Sequence, residues 1–231
     1  MCLSDCKKIE KVKKPIKVYK VLRVRDCAQG ENGKLIDDED ALKFVNRPLS
    51  FFQSPFYEEC LWFADEEKTA THEKDFFDYS KIQDGDELGD GFFHSFEKIE
   101  DAVIEYKALS GVLYKNTKLA IAEMEIPTTA EHVYSGGYNY RIDRSYASDK
   151  LKFNGIVFDE ELFENIYRGY CVAGKYWYQS KEDIEKRLER LRRALSYMET
   201  NQYTGVESDI NSTLKDISTI QRILKEKKEN D

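Results

Sequence analysis

The chain has 231 residues, 41% of them hydrophobic, and a formal net charge of -8, which is enough chain to bury a core without disulfide or metal staples. No apolar run approaches the roughly 20 residues that a membrane-spanning helix needs, and the N-terminal stretch lacks the apolar segment of a secretory signal. The five cysteines are irregularly spaced, so we predict reduced thiols in a cytoplasmic protein without a membrane partner.

The charge is unevenly distributed along the chain. Residues 1–25 carry nine Lys/Arg against two acids, a net of +7, whereas residues 26–179 carry 16 Lys/Arg against 31 acids, a net of -15. An acidic body repels nucleic acid, so we expect no nucleic-acid partner for it. We predict a basic N-terminal arm at 1–14, either solvated against its own acidic domain or touching phosphate or an acidic partner.

Hydrophobic patterns along the chain predict an α+β body at 15–179. The stretch IKVYKVLRV at 16–24 and the stretch KLAIAEMEIP at 118–127 alternate apolar and polar residues, as half-buried strands do. Apolar residues at spacings of three and four predict a helix over 95–111. Asn154–Gly155 lies between two apolar runs and is a hairpin signal. Together these elements predict a mixed or antiparallel sheet.

The C-terminal part of the chain has a different hydrophobic pattern. Apolar residues repeat at helical spacing on both sides of a turn at 201–205, which predicts two amphipathic helices. Two such helices joined by a short loop form an antiparallel hairpin, here assigned to 180–229. The hairpin either packs on its own body or pairs with a second copy in a homodimer. The repeating residues of its first helix are Ile184, Leu188, Leu191, Leu195 and Met198.

His94 is one of three histidines and lies in the stretch GDGFFHSFEKIEDA. A histidine between Phe93 and Phe96 is in most proteins a hydrogen-bonded, partly buried residue. A functional interpretation is also open, because His94 and Ser95 would stand at the start of the predicted helix. Backbone N–H groups there point toward an anion that binds.

The stretch VYSGGYNYRIDRSYAS at 133–148 concentrates tyrosines and arginines around two glycines. Planar rings, guanidinium groups and closely approachable backbone suit a base and a phosphate. The same composition is typical of a twisted hairpin packed over its neighbours, so both interpretations stay open. For the binding interpretation, the candidate ligand-binding residues across the chain are Arg23, His94, Ser95, Tyr138, Arg141 and Arg144.

Common catalytic motifs are missing from the sequence. It contains no P-loop, no G-x-G-x-x-G helix start, no G-x-S-x-G elbow, no H-E-x-x-H and no paired C-x-x-C. Glu123 and Glu125 would share one side of a strand, as a metal or general-base pair or as the solvent face of an edge strand. Cys2 and Cys6 with a distant histidine could in principle bind zinc. We predict no catalytic residues, no metal and no cofactor.

Several segments resemble proteins of unassigned activity from bacteriophages and prophages. The resemblance covers about 15–158 and omits the C-terminal hairpin. Such proteins have a lysine-rich strand, a Gly-Phe-His-Ser-Phe turn before a helix, an Ile-Pro strand end and a Tyr-Ala-Ser segment. The matching segments here are IKVYKVLR, SPF, GFFHSFEKIEDA, AIAEMEIP, YSGGYN and YASDKLKF.

A second resemblance is to the ADP-ribosyltransferase fold. In that fold an arginine or histidine on the first strand, a Ser-Thr-Ser-like strand and a late glutamate surround the nicotinamide. Arg23, the stretch HSF at 94–96 and the stretch YAS at 146–148 would occupy those places. The Ser-Thr-Ser strand and the late glutamate are missing here, so the resemblance implies a pocket that holds a nucleotide without processing it.

The sequence thus predicts a non-enzymatic cytoplasmic binding protein of phage or prophage type. Its partner would be a nucleotide-like anionic molecule or a host protein. One alternative is an ADP-ribosyltransferase-like or other nucleotide-processing enzyme, with His94 or Glu125 as the base. The other alternative is a structural or assembly protein that self-associates through the C-terminal hairpin.

Overall fold

The chain forms two compact units, Met1–Phe158 and Asp159–Asp231. In the described part of the chain, the first is a β-sheet with one α-helix and a short 3-10 helix, and the second is helical. No helix in the described part of the chain is both long and apolar enough to cross a membrane. The computed structural model describes residues 3–24, 48–50, 67–70, 79–88, 92–112, 119–138, 142–157, 159–200 and 206–230.

The first unit is built on one sheet whose described strands follow the order β1-β7-β8-β5-β2-β6-β9-β4, with β3 paired to β2. Every described pairing is antiparallel. An antiparallel sheet in one unit and helices in the other confirm the predicted α+β class. The strands are β1 (Leu3–Ile9), β2 (Ile16–Val24), β3 (Pro48–Ser50), β4 (Glu67–Thr69), β5 (Phe93–Phe96), β6 (Leu119–Ile126), β7 (Val133–Tyr138), β8 (Ile142–Ser148) and β9 (Lys150–Val157).

The centre of the sheet is the β2–β6 pair, and both strands were predicted from their alternation. Side chains along a strand point to opposite faces in turn. Val18, Leu22 and Met124 are buried in one core cluster and define the face that we call face A. Val21 and Ile121 are fully buried on the opposite side, which we call face B. Both faces of the central strands are therefore covered.

Strand β5 pairs with β8 along its whole length but with β2 only at Tyr19–Phe96. Helix α1 (Ile99–Val112) follows it and packs against β2, β5 and β6. The prediction of a helix from residue 95 is wrong at its start, because 93–96 form a fully buried strand. The helix start consequently does not lie at His94 and Ser95.

Strand β1 corrects the predicted N-terminal arm. Leu3–Ile9 pairs with β7, so this part of the expected arm belongs to the sheet. Leu3 and Cys6 are buried in a core cluster on face B. The lysines that suggested an arm, among them Lys7 and Lys8, are exposed. A strand at the rim of the sheet thus combines a few buried apolar side chains with many solvated charges.

The predicted hairpin at Asn154–Gly155 is also wrong. Strand β9 runs through both residues and pairs with β6 on either side of them. Glu123 pairs with Gly155 and Met124 with Phe153, so β9 carries one extra residue between these pairs. The Asn-Gly signal here marks a β-bulge, which uses the same turn-forming residues as a tight hairpin.

The helical unit contains α2 (Glu160–Ala173), α3 (Lys181–Thr200) and α4 (Val206–Asn230). The side chain of Asp159 accepts a hydrogen bond from the Leu162 N–H, which caps α2. Helices α3 and α4 form the predicted hairpin, but α2 packs against α4 as well, so the unit begins before the predicted boundary at 180. Its shared core is Ala173, Ile184, Leu188, Ile217, Ile220, Ile223 and Leu224.

Candidate functional site

His94 lies inside the sheet rather than in an open site. It is 4% exposed and pairs with Ala147 on β8. Because Phe93 belongs to the face A cluster, alternation places the His94 side chain on face B. The structure therefore supports the packing interpretation of His94 and not an exposed base.

Lys20 connects β2 to β5 where their backbone pairing stops. It is 1% exposed, and its Nζ donates a hydrogen bond to the His94 carbonyl oxygen at 2.6 Å. Burial lowers the pKa of Lys20 to about 7, because a buried site disfavours the charged form. The lysine thus binds a carbonyl oxygen of β5 beyond the single Tyr19–Phe96 pair.

Ser95 is 1% exposed and lies on face A, opposite Tyr146 of β8. The register of the Tyr19–Phe96 pair places Lys20 beside it on β2. The Ser95 hydroxyl nevertheless makes no hydrogen bond, so Lys20 does not activate it as a base would activate a nucleophile. The Ser95 hydroxyl is therefore a buried hydrogen-bond donor on β5, next to Tyr146 of β8.

A cleft of about 600 Å³ opens over the outer strands of the sheet. It is formed by β1, β7 and β8, which are neighbours in the sheet, and by the residue after β5. Lys7 pairs with Ser135, and Ser135 with Tyr146, so these three follow one another across face A. The lining residues are Ser4, Asp5, Lys7, Glu97, Ser135, Gly136, Gly137, Arg144 and Tyr146.

Two irregularities in the strands coincide with this cleft. The β1–β7 register shifts between Ser4 and Lys7, and the β7–β8 register shifts between Gly136 and Tyr138. Asp5 lies within the first shift and has a φ of 51°, the one positive φ among described residues other than glycine. Bulges and left-handed residues concentrate at functional sites, where they redirect side chains.

Gly136 allows β1 to approach β7 closely. A Cβ atom on Gly136 would lie 2.5 Å from the carbonyl oxygen of Ser4 and 3.0 Å from Leu3 Cγ. The Ser4 hydroxyl donates to the Gly137 carbonyl at 3.1 Å and holds the two strands together. The floor of the cleft therefore depends on a glycine at this position.

Among the described residues that line the cleft, the charged groups are two cations and two carboxylates. Arg144 Nη1 lies 3.3 Å from Glu97 Oε1, and the Tyr146 hydroxyl donates to Glu97 Oε2 at 3.5 Å. Burial, and secondly the Glu97 carboxylate, raise the pKa of Tyr146, so this phenol is neutral near neutral pH. Asp5 and Lys7 supply the other two charges from β1.

The predicted site residues are only partly brought together. Arg144 lines the cleft, whereas His94 and Ser95 are buried in the adjoining strand. Arg23 and Tyr138 have their backbones in β2 and β7, but their side chains, like all of Arg141, lie outside the described residues. The segments of the ADP-ribosyltransferase resemblance (Arg23, 94–96 and 146–148) fall on the neighbouring strands β2, β5 and β8.

Several cleft residues were not singled out from the sequence. Lys7 was assigned to the basic arm and Glu97 to the start of the helix, so neither was linked to Arg144. The one local signal for β1 is that Leu3, Cys6 and Ile9 are separated by polar and charged residues. The predicted binding segment does contain Ser135 and the two glycines.

The other candidate sites have structural explanations. β6 lies between β2 and β9, so the prediction of an edge strand for Glu123 and Glu125 is wrong. Both side chains are partly exposed, and Glu123 forms an ion pair with Lys17 at 2.6 Å. Cys6 is buried, and its thiol donates to the Gln83 carbonyl; Cys2 lies outside the described residues. Within the described ranges, no group of three or more His, Cys, Asp or Glu residues is arranged to hold a metal ion.

Comparisons of the chain with protein-family models, with curated proteins and with solved structures found no match. The chemistry of the cleft is therefore the basis for assigning a function to the chain.

Proposed function

We propose that the β-sheet unit is a non-enzymatic, cytoplasmic binding module of phage or prophage type that holds a small, anionic, nucleotide-like ligand in the cleft. The observation that carries the proposal is the coincidence of one cleft with two strand bulges, a left-handed Asp5 and two cations. Lys7 comes from β1 and Arg144 from β8, two strands separated by β7. An anion bound between them would meet positive charge from two sides.

Arg144 is suited to binding a phosphate. Its guanidinium carries five N–H donors, and one of its nitrogens, Nη1, contacts Glu97 at 3.3 Å. Exposed ion pairs of this kind contribute about 0–1 kcal/mol to stability. A ligand phosphate can therefore replace Glu97 as the partner of the Arg144 N–H donors with little loss of free energy. Arginine binds phosphate through two parallel hydrogen bonds, which also fix its orientation.

The backbone of β7 supports the same proposal. Gly136 and Gly137 line the cleft. The missing side chain of Gly136 makes room for β1, whereas Gly137 presents backbone that a ligand can approach closely. Ser135 adds a hydroxyl beside them. Cations on two walls with an open strand floor between them suit a compact anionic molecule.

Calorimetric titration of the full chain with AMP, ADP and NAD tests the proposal. We expect binding of at least one of these nucleotides, weakened about tenfold or more in the double variant Lys7→Ala/Arg144→Ala, because each lost hydrogen bond to a charged group contributes about 1.5–3 kcal/mol. The matched control is Lys8→Ala/Lys13→Ala, which removes the same charge from exposed lysines outside the cleft.

Absence of binding for all three nucleotides would contradict the proposal, as would equal weakening in the control variant. The same titrations address the enzymatic alternative. Turnover of labelled NAD by the wild-type chain that disappears in His94→Ala would replace the binding role with catalysis.

A second candidate function is self-association through the helical unit. The four exposed large hydrophobic side chains among the described residues all lie there, and Tyr197 at 64% and Leu214 at 46% are the most exposed. Light scattering of the full chain tests this candidate: a dimer that becomes a monomer in Tyr197→Ser/Leu214→Ser would support it. A wild-type chain that is monomeric at high concentration would exclude it.

A further inference from the structure

The cleft is not simply a basic pocket. Asp5 and Lys7 stand on the β1 wall, and Glu97 and Arg144 stand on the β5–β8 wall, so each wall presents one carboxylate and one cation. The four formal charges of the described lining cancel. A bare anion that binds between the cations also meets two carboxylates, and like charges at short range oppose its binding.

Glu97 has acceptor capacity beyond its present contacts. An ionised carboxylate offers about four lone-pair sites. The two contacts that Glu97 makes, with Arg144 at 3.3 Å and with the Tyr146 hydroxyl at 3.5 Å, are both longer than strong charge-assisted hydrogen bonds. A hydroxyl group of a ligand could therefore donate to Glu97 without displacing a strong bond.

Asp5 lines the cleft in a left-handed backbone conformation. Its φ of 51° is a conformation that costs an aspartate less than most residues, because its short side chain tolerates the left-handed region. The bulge at this point turns the chain so that Ser4, Asp5 and Lys7 all line the cleft, although neighbouring residues of a regular strand alternate between faces. An acceptor and a cation consequently stand side by side on this wall.

The described lining offers little for a nucleobase. Its one aromatic residue is Tyr146, whose ring packs against the face A core and whose hydroxyl is bonded to Glu97. Base stacking needs a free aromatic face, and much of this ring is used in packing. The polar groups, by contrast, suit hydroxyls and one anionic group.

We infer that the cleft recognises the sugar-phosphate part of its ligand, with a phosphate between Lys7 and Arg144 and sugar hydroxyls donating to Asp5 and Glu97. This inference rests on the proposed function and narrows its ligand class to phosphorylated sugars, with or without a base. Carboxylates that accept from ribose hydroxyls are a familiar solution in dinucleotide sites.

Calorimetric titrations of the full chain with inorganic phosphate, D-ribose, ribose 5-phosphate and AMP test the inference. We expect ribose 5-phosphate to bind about tenfold or more tightly than phosphate or ribose alone, since hydroxyl bonds to charged acceptors contribute about 1.5–3 kcal/mol. AMP is expected to bind within about threefold of ribose 5-phosphate, an affinity difference below 1 kcal/mol.

Two conservative variants separate recognition from folding. Glu97→Gln and Asp5→Asn keep the size of each side chain, and asparagine tolerates the left-handed backbone of position 5. Both variants should bind ribose 5-phosphate more weakly, because an acceptor for a sugar hydroxyl loses its charge. Their affinity for inorganic phosphate should stay the same or increase, because a repelling charge is removed. The control is Glu87→Gln, a change at an exposed carboxylate outside the cleft, which should leave all four titrations unchanged.

The outcomes distinguish the inference from the proposed function. Phosphate binding as tightly as ribose 5-phosphate, or AMP binding far more tightly than ribose 5-phosphate, would overturn the inference and leave the anion-binding cleft standing. Failure of all four probes to bind would overturn the inference, and failure of ADP and NAD to bind as well would overturn both.

Discussion

Strands β2 and β6 pair through eight consecutive residue pairs without a bulge, whereas the β1–β7 and β7–β8 pairings each contain a register shift within five pairs. Val18, Leu22 and Met124 at the centre are fully buried, whereas Asp5, Lys7 and Arg144 at the outer strands are exposed. Regular pairing keeps apolar side chains on covered faces, while bulges release polar side chains into a cleft. The centre of the sheet supplies buried apolar packing, and the outer strands supply the polar lining of the cleft.

The largest expected effect on stability comes from a substitution in the central β2–β6 pair. Met124→Ala removes a fully buried side chain of the face A cluster and should lower the free energy of unfolding by about 2–5 kcal/mol. The measurement is chemical denaturation followed by circular dichroism. Ligand affinity of the remaining folded protein should not change, since Met124 does not line the cleft.

The matched control for the central substitution is Met198→Ala. Met198 is half-buried in α3, and alanine is the best helix former, so its substitution should cost much less. Equal losses in the two variants would show that the centre of the sheet is not the more tightly packed region.

A smaller effect is expected at the boundary between the outer strands. Gly136→Ala would place a Cβ atom 2.5 Å from the Ser4 carbonyl oxygen, so β1 must move away from β7. Strain of this kind costs about 1–3 kcal/mol. Hydrogen exchange should accelerate at the β1 amides but not at those of β6, and affinity for the cleft ligand should fall.

Ser135→Ala is the neighbouring control for the hydrogen-exchange measurement alone, because it adds no atoms between β1 and β7 but removes a hydroxyl that lines the cleft. Unchanged exchange at β1 in Gly136→Ala would contradict the close approach of the two strands.

The third prediction concerns Lys20 and the pH dependence of stability. Its pKa is about 7 in the folded chain, against an ordinary value of 10.5. Between these values the unfolded chain binds a proton that the folded chain does not, so stability rises with pH in this window, by at most about 1.4 kcal/mol per pH unit. Below pH 7 both states are protonated, and this slope disappears.

Lys20→Met removes the titrating group while keeping an unbranched side chain. The free energy of unfolding of the wild-type chain minus that of the variant should grow as pH rises from 7 to 10. The measurement is urea denaturation of both proteins at several pH values. A difference that stays constant across the window would mean that Lys20 is charged in the folded state.

The parts of the structure that the sequence could reveal are those set by local pattern. The central strands at 16–24 and 118–127 were predicted within a residue or two, because alternation over eight or nine residues is a strong local signal. The prediction of a hairpin at Asn154–Gly155 was wrong, because the same dipeptide occurs in hairpins and in bulges. Which of the two forms depends on the strand that pairs with it, here β6. The helix start at 95 was wrong because β5 is too short to show alternation.

The cleft could be predicted only in part, since its walls meet through pairings distant in sequence. Arg144, Ser135 and the two glycines fall in the stretch whose composition suggested binding. Lys7 reaches them through the β1–β7 pairing, and Glu97 through its contact with Arg144. The hydrophobic pattern near Lys7 and Glu97 does not indicate these long-range contacts, so both residues were interpreted as parts of other elements.

The junction between β2 and β5 joins the two regions of the sheet through few backbone pairs. Among described residues, backbone pairing across this junction is limited to Tyr19–Phe96, supplemented by the hydrogen bond from Lys20 Nζ to the His94 carbonyl oxygen. Side chains join the two regions as well, because Phe93, Val133 and the ring of Tyr146 pack in the same face A cluster as Val18 and Met124. Substitutions that change the volume of these shared apolar side chains should therefore disturb the interior and the cleft together, whereas charge changes at the exposed Lys7 and Arg144 should leave the interior intact.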